Sequence, residues 1–149
     1  MEKLIELDQL ADEIVKELKA YNQDVVDELK ENAKSVANEC LKEIKANSPV
    51  NSNKNDKRYS KSKTKNYAGR YKRGWRLKVA FESDSDIRIV IHNKTDYQLT
   101  HLLEYGHVIR NAKGGPNLGR VPAIPHVRPA EQRAEQKLID KVKVAIIKK

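Results

Sequence analysis

The sequence predicts an α+β fold: a long N-terminal helix, an antiparallel sheet of about three to four strands with a short helix inserted, and a C-terminal helix. Three observations predict it. Apolar residues step by three and four through the first 48 positions with no Gly or Pro among them. Two runs then alternate apolar and polar residues on either side of an acidic turn, the period of paired, half-buried strands. A last apolar stripe of helical period closes the chain behind a proline-rich stretch.

The helical stripe runs from Leu4 through Leu18, Tyr21, Val25, Leu29, Val36, Cys40, Leu41 and Ile44, and Asn47-Ser48-Pro49 supplies its stop. It reads either as one helix from about Asp8, roughly 60 Å long, or as two that break near Tyr21-Asn22-Gln23-Asp24. The stripe is narrow and flanked by Glu and Lys, so the helix lies on a sheet or pairs with copies of itself. Residues 50–68 have almost no apolar content and are rich in Asn, Ser and Lys, which predicts a solvated, mobile loop. Trp75, Leu77, Val79 and Phe81 then form one face of a strand. Glu82 to Asp86 turn the chain, and Ile87, Ile89 and Ile91 form the matching face of the next strand. Asp96 is placed to cap a short helix through Tyr105, with Gly106 as its left-handed C-terminal residue. His107-Val108-Ile109 begins a further strand, and Gly114-Gly115-Pro116 is a loop. Val121 to Val127 holds two prolines and is extended, at a sheet edge or outside the sheet. From Arg128 a closing helix, with Pro129 in its first turn, carries Ala134, Leu138, Val142, Ala145 and Ile146 on one face. The parts read as one domain over 1–149, divided into a helical region 1–48, a basic loop 50–68, a sheet region 69–127 and a helix 128–149.

Composition narrows the function. Hydrophobic residues are 38% and charged residues 34% of the 149, so the core is thin for the length. Cys40 is the only cysteine, which excludes an internal disulfide and a cysteine-based zinc site, and suits a reducing compartment. The acidic N-terminus lacks the continuous apolar core of a signal peptide, and no run approaches a membrane span. Charge is divided: residues 1–50 hold 7 basic and 12 acidic groups, whereas 51–78 hold 11 basic groups against Asp56 alone. His92, His101, His107 and His126 share no metal-ligand spacing, and His101 with Glu104 at i, i+3 is a spacing that many helices show by chance. No nucleophile elbow or phosphate loop is present, because Gly114-Gly115 leads into Pro116 rather than a helix. The sequence therefore predicts a protein that is not an enzyme and uses no cofactor.

Three spaced segments remain. The first is Ser48-Pro49-Val50 followed, after an insertion, by Ala68-Gly69-Arg70-Tyr71-Lys72-Arg73-Gly74-Trp75. The second is Leu102-Leu103-Glu104-Tyr105-Gly106-His107, and the third runs from Val121-Pro122-Ala123 through Pro125-His126-Val127-Arg128-Pro129-Ala130. This succession resembles the small minor tail-component family of long-tailed bacteriophages, also described as head–tail connector or tail-completion proteins. The resemblance spans nearly the whole chain. One departure stands out: the family keeps its Thr-Gly within a few residues of the proline, whereas residues 51–68 separate Val50 from Gly69 here.

The resemblance implies a structural virion protein at the head–tail interface. Its copies would assemble as a ring, six being the number implied, around the channel that DNA crosses. It would form in the host cytoplasm and end in the tail or neck of the virion, with head-closure, tail-terminator or tail-tube proteins as neighbours and no membrane partner. Gly69, Tyr71, Gly74, Trp75, Glu104, Tyr105, Gly106, Pro125, Arg128 and Pro129 then carry structural roles. Trp75 is expected in the core, Tyr105 to pack, and Glu104, if buried, to pair with Arg128. Lys57, Arg58, Lys61, Lys63, Lys65, Arg70, Lys72 and Arg73 are the expected contacts for assembly or DNA. The alternative is a sequence-independent nucleic-acid-binding protein that uses the basic 54–78 segment with Tyr59, Tyr67 and Tyr71 interleaved. No helix-turn-helix, zinc finger or RNA-recognition signature accompanies that segment.

Overall fold

The computed structural model describes residues 10–50, 69–111 and 113–148. Among these residues eight elements follow in order: α1 (Leu10–Asn47), α2 (Arg70–Arg73), β1 (Trp75–Glu82), β2 (Ile87–Asn93), α3 (Tyr97–Tyr105), β3 (His107–Arg110), β4 (Asn117–Val121) and α4 (Arg128–Ile147). The expected basic loop lies outside the described residues apart from Val50. The α+β class holds. The four strands form two separate antiparallel ribbons, β1–β2 and β3–β4, rather than one sheet.

Helix α1 is continuous over 38 residues, so Tyr21 to Asp24 do not break it. At about 1.5 Å per residue it is roughly 57 Å long. Its C-terminal half packs against α4, and the polar edges of the two helices interlock in steps of four. Arg133 pairs with Glu43, Lys137 with Glu39 at 2.9 Å, and Lys141 with Ser35 at 3.2 Å. Four residues forward on one helix match four backward on the other, which sets an antiparallel register. Exposed pairs of this kind are screened by water, so they fix alignment more than stability. They also occupy Glu39 and Glu43 within the chain, so those carboxylates are engaged internally.

The β1–β2 hairpin corrects one expectation about its inner face. Leu77 pairs with Ile91 and Val79 with Ile89, but the register shifts after Val79, so that Phe81 pairs with Arg88 and Glu82 with Ile87. A single extra residue in β1 turns every later side chain to the opposite face. Phe81 therefore points away and is 53% exposed, while Glu82 takes the inner position and meets Lys34 of α1 at 3.1 Å. The hairpin turn is held on the same helix, where the Lys30 ammonium donates to the carbonyls of Ser83 and Asp84.

The core is small, as composition requires. Cys40 and Ile44 of α1, Tyr71, Trp75 and Ala130 form its buried centre, with Leu41, Ile91, Leu103, Val127 and Ala134 packed around them. The expected stripe on α4 holds through Ala145, but Ile146 is 58% exposed.

Candidate functional site

The three sequence segments converge on one buried node where α2, α3 and the start of α4 meet. Residues 126–128 open α4, and the N-terminal N–H groups of a helix have no partner inside it. Val127, at the cap position, has no side chain able to accept them. Glu104 supplies the missing acceptor from α3. Its Oε2 accepts the N–H groups of His126 at 3.0 Å and Val127 at 3.1 Å, and its Oε1 accepts that of Arg128 at 2.9 Å. Pro129 follows with no N–H to satisfy. The expected pairing of Glu104 with the Arg128 side chain is thus replaced by the Arg128 backbone, and the Arg128 side chain is exposed. The helix dipole favours the arrangement, because its positive end faces the carboxylate.

Burial raises the carboxyl pKa of Glu104, but the three backbone donors and the adjacent His126 outweigh it, and the net effect lowers it. The linkage sign follows from a folded value below the ordinary one of 4.5. The stabilisation is fully present above that ordinary value and is lost as pH falls through the folded value. Glu104→Gln keeps an acceptor and loses the charge, so it should cost about 1–2 kcal/mol at pH 7. Urea unfolding from pH 7 to pH 3 checks this: wild type should lose its advantage over the variant as pH drops below about 4.5. Two parallel stability curves would show that Glu104 is not the group being titrated.

His126 links this cap to the core and is 1% exposed. Its Nδ1 lies 2.7 Å from the Ile124 carbonyl and 3.4 Å from Glu104 Oε2. With Nδ1 donating to that carbonyl, Nε2 faces the Tyr71 hydroxyl at 2.8 Å. The same hydroxyl is hydrogen-bonded to Thr100 Oγ1 at 3.3 Å. Burial raises the Tyr71 pKa, with Thr100 opposing and the charges of Glu104 and Asp96 adding to it, so Tyr71 stays a neutral donor. The rings of Tyr71, Trp75 and His126 pack edge to face, with centroids 5.6 to 6.2 Å apart.

Asn93, at the end of β2, organises the other side. Its amide donates to the Tyr71 carbonyl at 2.8 Å, and its Oδ1 accepts the N–H groups of Thr95 and Asp96 at 3.2 and 2.9 Å. Asn93 therefore satisfies the start of α3, whereas the Asp96 side chain makes no capping bond and instead pairs with Arg70 at 3.4 Å. Gly74 allows this approach, because a Cβ there would lie 2.1 Å from Thr95 Oγ1 and 2.5 Å from Asn93 Oδ1. Gly69 precedes α2 with φ of 71°.

The remaining expected residues divide. Tyr105 does not pack into the core: it is 55% exposed, with its ring 4.9 Å from that of His101. Pro125 is exposed and Pro129 half-buried, bracketing His126 as expected. Lys57, Arg58, Lys61, Lys63 and Lys65 lie outside the described residues. Arg70 is engaged by Asp96, and Arg76 donates to the carbonyls of Arg73 and Trp75, so part of the basic segment is committed to the fold. Lys72 is half-buried and Arg73 exposed. Sequence reasoning missed His126, Asn93 and Thr100 as members of the node. The signals were present for two of them: a histidine bracketed by prolines, and an Asn followed at once by Lys-Thr-Asp where a strand gives way to a helix.

This node holds the fold together: Glu104, His126, Tyr71 and Asn93 are each hydrogen-bonded to another part of it. Among the described residues no group of three or more His, Cys, Asp or Glu could hold a metal ion, and no helix is long and apolar enough to cross a membrane. No curated protein and no solved structure matches the chain. One family does: that described as "Bacteriophage HK97-gp10, putative tail-component" matches residues 12–106, from the first turn of α1 through Gly106. Because that match covers well over half of the 149 residues, the chain belongs to the HK97-gp10-like family and is a structural tail-component protein of a bacteriophage virion.

Proposed function

We propose that this tail component acts where the phage head joins the tail, as a ring of identical subunits around the channel that DNA crosses, and that it completes the tail or joins it to the head. One observation carries the reading beyond the family: the N-terminal half of α1 presents its apolar stripe to solvent. Ile14, Val15, Leu18 and Tyr21 are 44 to 56% exposed. The same stripe is buried farther along, at Val36, Cys40 and Ile44, where α4 and the hairpin cover it. A helix that continues its apolar face past its own domain has surface for another chain. Identical copies that meet head to tail close into a ring when the rotation allows. The basic segment that includes Lys57, Arg58, Lys61, Lys63, Lys65, Lys72 and Arg73 is the proposed second contact, toward neighbouring layers or the DNA.

The test is complementation of a phage that lacks this gene. Ile14→Asp with Leu18→Asp changes exposed positions, so the circular dichroism spectrum and melting curve should match wild type. The particles should instead fail as DNA-filled heads and separate tails, or as tails of abnormal length. Infectious virions at normal titre from that variant would remove the assembly role of α1.

A further inference from the structure

We infer that the β3–β4 ribbon of one subunit seats in a groove between α1, β2 and α4 of the next, an inference that rests on the ring assembly proposed above. The groove measures about 510 Å³. Its floor is apolar, with Cys40, Ile87, Ile89 and Leu138 among its lining residues, and Glu131 and Glu135 of α4 stand on it. Both carboxylates are exposed, and neither has an ion-pair partner among the described residues.

The ribbon has the matching chemistry. A two-stranded ribbon on its own is marginal in water, yet this one exposes Val108 and Ile109 at 41% each and Leu118 at 62%. Residues 105–130 contain no Asp or Glu, and Arg110, Lys113 and Arg120 stand on or beside the strands. None of the three has an ion-pair partner among the described residues, and Arg120 donates only to the Tyr105 carbonyl, at 3.4 Å. The chain thus carries an apolar groove edged by two unpaired carboxylates and an apolar ribbon edged by unpaired cations. Seating one in the other pairs both sets and removes both apolar surfaces from water. Because groove and ribbon are different surfaces, the contact is head to tail, the kind that closes a ring.

Two variants test this in the full chain. Glu131→Lys with Glu135→Lys reverses the groove, and Arg110→Glu with Arg120→Glu reverses the ribbon. In sedimentation velocity each variant alone should associate about 100-fold or more weakly than wild type, because like charges then face each other. An equal mixture should assemble again, since each reversed surface meets its complement on the other variant. A chain with Leu118→Cys and Glu135→Cys, both exposed positions, should also form a disulfide ladder between subunits under aerobic oxidation, and Leu118→Cys alone should not. Wild type that assembles while the mixture stays apart and no ladder forms would overturn this contact and leave the ring standing. Wild type that stays monomeric at its highest soluble concentration would overturn both.

Discussion

Trp75→Ala is expected to lower stability by about 4 kcal/mol, the range for emptying a buried aromatic site. Trp75 is 2% exposed and sits between Cys40 and Ile44 of α1, the Tyr71 and His126 rings, and Ala130 of α4. From the start of β1 it therefore shares one cluster with the first helix and the last helix, and the core is too small to refill the space. For a chain of this length the loss corresponds to a fall of roughly 8–16 °C in melting temperature. The Nε1–H of Trp75 has no acceptor among the described residues, so its contribution is packing rather than hydrogen bonding. Trp75→Phe should then recover most of the loss. If Phe proves as damaging as Ala in thermal melts, the indole N–H has a partner and the packing account is wrong.

The parts of this fold that follow a period were legible in the sequence. The stripe on α1, the alternation of β2 and the face of α4 each repeat over enough residues to declare themselves. The bulge in β1 was not legible, because Trp75 to Phe81 alternate without fault and only the pairing with Ile87–Asn93 reveals the slip after Val79. The β3–β4 ribbon was half legible. His107-Val108-Ile109 reads as a strand, but Asn117-Leu118-Gly119-Arg120 has neither alternation nor β-branched residues. Whether two ribbons merge into one sheet is decided by long-range packing that no local pattern encodes. The node shows a different limit. Glu104, Gly106, Tyr71 and Trp75 could be singled out by spacing, yet their partners could not. A buried carboxylate suggests a cation, and here three backbone N–H groups take that place because the start of α4 has no acceptor of its own. His126 looked like one histidine among four until the fold set it against Tyr71.

Gly106 explains why two of the three sequence segments occur together, and its replacement should be among the most damaging single changes. The residue ends α3 with φ of 72° and ψ of 168°, positive as expected but extended rather than left-handed helical. That region is essentially confined to glycine. A Cβ added there would lie 2.6 Å from the Val121 carbonyl oxygen and 3.0 Å from the Ala123 nitrogen. Both are backbone atoms, and the same stretch is pinned by the bond from Ile124 N–H to the Leu103 carbonyl at 2.7 Å. Neither side can yield without pulling residues 126–128 away from Glu104, so strain at Gly106 is transmitted to the cap of α4. Gly106→Ala should therefore cost about 3 kcal/mol or more, as backbone strain and collision add. Gly114 offers a comparison, since it too has φ of 72° but has nothing within 4 Å of an added Cβ. Gly114→Ala carries the conformational cost alone, about 1–2 kcal/mol. Urea midpoints at constant m-value measure both. Equal losses at the two positions would mean that the collision adds nothing, and that the close crossing of Gly106 over Val121–Ala123 is not what joins the two segments.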